Sequence, residues 1–202
     1  MRRYTLILCI CISLLISGVL ALEVSDVSDE SKDDNFKAIA LYNEATDLAY
    51  AGDFTTALLK VDEALAIIPN FTLALTTKAA LLSELEKYGE ALEILQIAHN
   101  LSPEDPYILT NAASIYLFLG EYEYALLVID EALSYAPDMV EAWVTKGTVH
   151  GALGEYEEEI VASEEALRLD PENVLALSNI NYALEQIKKL LDEKTLSETS
   201  TA

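Results

Sequence analysis

The chain has 202 residues, 52% of them hydrophobic and only seven of them glycine, and carries a formal net charge of −23 at pH 7. A surface this acidic repels phosphate backbones and anionic lipid, which excludes ordinary electrostatic binding of nucleic acid. Both cysteines, Cys9 and Cys11, sit in one N-terminal apolar run, so the remainder can hold no disulfide, zinc–thiolate site or cysteine nucleophile.

Residues 1–21 (MRRYTLILCICISLLISGVLA) place Arg2 and Arg3 ahead of an apolar run that reaches Leu22. Val19 and Ala21 supply small side chains at −3 and −1 of a cleavage site, the layout of a secretory signal peptide. Uncleaved, residues 4–22 are long enough to anchor the chain as a transmembrane helix with its arginines on the cytoplasmic side. Both alternatives predict a secreted or extracytoplasmic protein. Without Arg2 and Arg3 the 12 basic residues become 10 against 35 acidic, a net of −25. Residues 22–37, of which Glu23–Lys37 reads EVSDVSDESKDDNFK, bury too little apolar surface to offset their ordering entropy and read as a flexible acidic linker.

From there an arithmetic regularity takes over. Pro69, Pro103, Pro137 and Pro171 recur every 34 residues, and proline stops a helix because it lacks the N–H and clashes with the preceding turn. With these prolines at position 32, the units are 38–71, 72–105, 106–139 and 140–173. Position 27 is then Ala64, Ala98, Ala132 and Ala166; position 20 is Ala57, Ala91, Ala125 and Glu159; position 8 is Ala45, Ala79, Ala113 and Gly147. Small residues seven apart share a helix face and let a second helix approach closely. Position 15 is Gly52, Glu86, Gly120 and Gly154, where glycine ends a first helix in a left-handed cap. Position 17 is Phe54, Tyr88, Tyr122 and Tyr156, aromatics that pack across the turn. Each unit is a helix, a turn and a second helix, and such units bury their apolar faces only by stacking. Glu159 stands where alanine should close unit four, and is expected to loosen that helix pair or to turn its carboxylate to solvent. A final helix over 174–191 is expected to cap the open end, and 192–202 (DEKTLSETSTA) to be a disordered tail.

This pattern resembles the tetratricopeptide repeat. Leu109, Ala113, Tyr116, Tyr122, Ala125, Ala132 and Pro137 carry it in unit three, and Trp143, Gly147, Tyr156, Ala166 and Pro171 in unit four. The Lys146–Gly147 pair is similar to prokaryotic versions, so the resemblance points to an exported or membrane-anchored prokaryotic type. It implies an all-α, right-handed α-solenoid of four repeats and a cap over residues 38–191. It also implies a concave groove lined by positions 2, 5, 9, 12 and 13. The binding candidates at those positions are Tyr42, Thr46, Tyr50, Thr76, Tyr107, Thr110, Ser114, Phe118 and Tyr182, with Glu84 and Glu141 almost the sole charges. Aromatic anchors among small polar groups suit a peptide or partner protein. Family members that clamp the acidic C-terminus of heat-shock chaperones use lysine, asparagine and arginine; matching positions here hold Tyr42, Thr46, Thr77 and Tyr107, so that ligand is not expected.

No catalytic constellation accompanies the repeat. His99 and His150 are too far apart in sequence to form a metal pair, and phosphate-loop, nucleophile-elbow and calcium-loop spacings are missing from the sequence. The expectation is a non-catalytic scaffold without metal or cofactor; a self-associating structural module is the first alternative, a metal-dependent binder or enzyme accessory domain the second, and the oligomeric state stays open. Asn70-Phe71-Thr72 and Asn100-Leu101-Ser102 are glycosylation sequons near the unit junctions.

Overall fold

The computed structural model describes residues 29–200, and side chains from 33 to 196. Among these residues there are nine helices and no strand: α1 (Asp29–Tyr50), α2 (Phe54–Ile67), α3 (Thr72–Glu84), α4 (Tyr88–Leu101), α5 (Pro106–Leu119), α6 (Tyr122–Tyr135), α7 (Val140–Leu153), α8 (Tyr156–Leu169) and α9 (Val174–Ser200). The first four pairs are the expected units and α9 closes the stack. None of the helices described is long and apolar enough to cross a membrane. The expected signal or anchor segment, 1–21, lies outside the described residues.

Every second helix ends by the same device. The residue before each repeat proline, Ile68, Ser102, Ala136 or Asp170, leaves helical geometry at ψ 78 to 94°, as crowding by the proline ring requires. Its N–H still donates to the position-27 carbonyl, of Ala64, Ala98, Ala132 or Ala166, at 2.8–2.9 Å. Every first helix ends in a left-handed residue. Gly52, Gly120 and Gly154 have φ near +80°, and Glu86 adopts φ +59° in the glycine's place.

Position-20 alanines Ala57, Ala91 and Ala125 and all four at position 27 are fully buried, which brings the paired helices into contact. Neighbouring units then share apolar clusters. One joins Val61 and Ala64 of α2 to Ala74 and Leu81 of α3; a second joins Leu95 and Ala98 of α4 to Ile108 and Ile115 of α5. A third joins Ile129 and Ala132 of α6 to Ala142 of α7 and to Met139, which caps that helix. The cap continues the series, packing Ala176 of α9 against Val144 and Ala166, while Asn179 Nδ2 donates to Thr148 Oγ1 of α7 at 3.1 Å. Two ion pairs tie a first helix to the preceding second helix at equivalent positions, Lys78 to Asp62 and Lys146 to Asp130, each at 2.7 Å.

Three expectations need correction. Of the expected linker over 22–37, residues 29–37 are helical and belong to α1, while 22–28 lie outside the described residues. The acidic residues of 29–37 lie in the first turns of that helix, where they complement the positive end of the macrodipole. Within the tail expected to be disordered over 192–202, residues 192–200 are helical, because α9 runs unbroken to Ser200; Leu196 lies past the expected end of the cap at 191. Glu159 neither loosens its helix pair nor reaches solvent, being only 2% exposed. Its carboxylate occupies the space above Gly151, where a methyl group would lie 2.7 Å from Oε1 and closer still to Oε2. The bulk that alanine would have avoided on α8 is recovered on α7 by a residue without a side chain.

Gly151→Ala should therefore destabilise the fold by about 1–3 kcal/mol, the usual cost of overpacking. Gly151→Ala combined with Glu159→Ala should recover most of that loss, which a double-mutant cycle in urea measures. Glu86→Gly should stabilise by about 0.5–1 kcal/mol, because relief of left-handed strain outweighs the glycine's unfolded-state entropy. In thermal unfolding this is a rise of roughly 1–3 °C.

Candidate functional site

The first helices of successive units touch one another, α1 on α3, α3 on α5, α5 on α7 and α7 on α9, and so present one continuous face. Residues at positions 2, 5, 9, 12 and 13 were expected to line it, but they divide by depth. Tyr42, Thr46, Thr76, Thr110 and Ser114 are buried and offer no side chain to a ligand. Tyr42 packs its ring on Phe71, with centroids 5.1 Å apart, and its hydroxyl accepts from Thr77 Oγ1 at 3.4 Å. Burial holds that phenol above its ordinary pKa. The small hydroxyls are spent inside the protein: Thr46 donates to Asn43 O at 2.7 Å, Thr76 to Thr72 O at 3.0 Å and Ser114 to Thr110 O at 3.0 Å. Thr110 Oγ1 faces Met139 Sδ at 3.7 Å. Backbone carbonyls satisfy these side chains locally, so positions 5 and 9 act as spacers between first helices.

Four of the expected residues remain within reach. Tyr50 is 51% exposed and Tyr107 is 40% exposed. Phe118 is half-buried, its ring stacked on that of Tyr88 at 5.7 Å and 12°. Tyr182 of α9 is half-buried and meets Tyr156 edge-on at 6.2 Å. Tyr88 was expected only as a turn aromatic; its pairing with Phe118 arises because the next unit stacks on that turn, and a single unit's sequence gives no sign of it.

The charges of this face are carboxylates without counter-ions. Glu84, at the last turn of α3, has Oε1 buried without a hydrogen-bond partner. Burial pushes its carboxyl above the ordinary value of 4.5. Beside it the Tyr88 phenol is also raised, by burial first and then by the charges of Glu86 and Glu84. Glu141 of α7 is half-buried and likewise raised, mainly by burial, with Asp170 adding repulsion. Among the described residues, Lys60, Lys78, Lys87, Lys146 and Arg168 all pair with other carboxylates. His150 Nδ1 lies 2.7 Å from Glu155 Oε2; since a carboxylate cannot donate, the imidazole N–H does. No group of three or more His, Cys, Asp or Glu among the described residues could hold a metal ion. Asn70 and Asn100 are both exposed.

A carboxyl whose folded pKa is raised costs stability when it is ionised. That cost is full above the raised folded value and vanishes below the unfolded value of about 4.5. Glu84→Gln should accordingly raise the thermal midpoint at pH 7 and lose that advantage at pH 4, as paired thermal denaturations at the two pH values would register.

The tetratricopeptide-repeat family profile matches residues 106–139 and 140–173, so these two segments are tetratricopeptide repeats, with the boundaries of units three and four. No curated protein matches the chain by sequence. Solved structures share the fold. The first tetratricopeptide domain of Spaghetti (RPAP3), bound to the HSP90 peptide SRMEEVD, is 25% identical with TM-score 0.55, covering 58% of this chain and 93% of that one. The first such domain of human RPAP3 is 25% identical with TM-score 0.57, covering 60% and 95%. MamA from Desulfovibrio magneticus RS-1, residue 41 to the end, is 21% identical with TM-score 0.59, covering 79% and 96%. Domains of this fold generally mediate protein–protein interaction, and they are typically non-catalytic.

Proposed function

We propose that the chain is a non-catalytic adaptor that binds a peptide or partner protein along the face built by α1, α3, α5, α7 and α9. The observation that carries this reading is the exposure of Tyr50 and Tyr107 on a face floored by small side chains such as Thr46, Thr76 and Ser114, whose hydroxyls are bonded internally. Large aromatics left accessible on a rigid helical surface are the residue type that anchors interfaces. A similar domain that is bound to the peptide SRMEEVD supports a peptide as the class of ligand. The ligand class differs, because Tyr42, Thr46, Thr77 and Tyr107 supply no cation to receive an acidic chain end. We place the adaptor outside the cytoplasmic membrane, on the strength of Arg2, Arg3 and the apolar run to Leu22.

Crosslinking of the tagged full chain in its native membrane fraction, followed by mass spectrometry of the crosslinked sites, tests this. Crosslinks should join a small set of proteins to the α1–α3–α5 face, and Tyr50→Ala/Tyr107→Ala should lower their yield about tenfold with helicity unchanged. Undiminished yield in the double variant, or crosslinks confined to the second helices, overturns the reading.

A further inference from the structure

The turn end of α3 has the makings of a more specific site. Glu84 Oε1 is shut away from water without a hydrogen-bond partner, and no ion pair reaches this carboxylate among the described residues. The nearest cation in sequence, Lys87, has its Nζ on Glu90 instead, 3.1 Å from Oε1 and 3.4 Å from Oε2. Next to the carboxylate stands the Tyr88–Phe118 stack, its rings nearly parallel. Glu84 closes α3 and Tyr88 opens α4 after a turn of three residues, which places the acid and the stack at the same end of this helix pair.

We infer that Glu84, Tyr88 and Phe118 form a subsite for a lysine or arginine side chain of a peptide bound on the first-helix face. This inference rests on the groove reading above. A ligand laid over this end of the face removes the remaining water from Glu84. A neutral ligand leaves a buried anion without compensation, and an acidic one adds repulsion. A cationic side chain offsets the carboxylate's charge from the solvent side, while its methylene stem or guanidinium plane lies along the aromatic rings. Burial already holds Glu84 above its ordinary pKa, so part of the desolvation cost is met before the ligand arrives. The chain's net charge of −23 draws basic segments toward it from a distance, and Glu84 fixes where along the face the basic residue comes to rest.

Fluorescein-labelled peptide pools, randomised except for a central lysine, Nε-acetyl-lysine or glutamate, can be titrated against the full chain and against Glu84→Gln. The lysine pool should bind about tenfold more tightly than the acetyl-lysine pool, as one charge-assisted contact implies. Glu84→Gln should bring that ratio close to one while leaving acetyl-lysine affinity and helicity unchanged. A lysine preference that persists in Glu84→Gln assigns it to the overall acidity of the chain and overturns the subsite. Equal lysine and acetyl-lysine binding that is lost in Tyr50→Ala/Tyr107→Ala overturns the subsite and leaves the groove standing. Absence of binding by all three pools overturns both.

Discussion

Four alanine carbonyls fix the length of every unit. Each accepts a last N–H from a residue that the following proline forces out of the helix, and each belongs to an alanine with no exposed surface. Termination and close packing are thereby built into one residue. The proline sets where the second helix stops, and the alanine sets how near the first helix lies. The next first helix starts at a fixed offset, so the apolar clusters between units repeat in register and the first helices line up as one face. A larger side chain at any of these positions would push two helices apart and shift every unit beyond it.

Much of this could be read from the amino-acid order, because it depends on spacing. The prolines, the paired alanines and the three turn glycines are local features, and the structure places helix ends and left-handed residues where they require. Depth was harder to read. Positions 5 and 9 of a first helix look outward when one unit is considered alone. Tyr42 and Thr76 become buried only when the neighbouring first helix packs over them, and that contact lies some 35 residues away in the chain. The same limit hid the Tyr88–Phe118 stack. The ends were misread for a different reason: low apolar content over 29–37 and 192–200 suggested disorder, but a helix already nucleated in the packed region continues beyond it, since each further residue adds a hydrogen bond without a new nucleation cost.

Charge is distributed with a matching logic. Lys78 and Lys146 sit at the same position in two units and reach the same position of the preceding helix. Lys60 bridges α1 and α2 through Glu44. The scarce cations thus serve contacts between or along helices, and each such exposed pair is worth at most about 1 kcal/mol. Because these lysines are engaged elsewhere, the first-helix face keeps a small number of half-buried carboxylates whose charge is met by nothing in the described chain. The paired lysines thus hold the scaffold together, while Glu84, once ionised, weighs against its stability.

The fit of Glu159 over Gly151 restricts the routes by which unit four can change. With glutamate on α8, a Cβ at 151 meets the end of the Glu159 side chain, so the carboxylate must move aside to admit it. With alanine on α8, residue 151 regains its freedom. The coupling runs in one direction only: the glutamate on α8 needs the glycine on α7, eight residues before it, whereas the glycine does not need the glutamate. A unit transplanted into another array with Glu159 must bring Gly151 with it, and a unit with alanine on α8 carries no such condition.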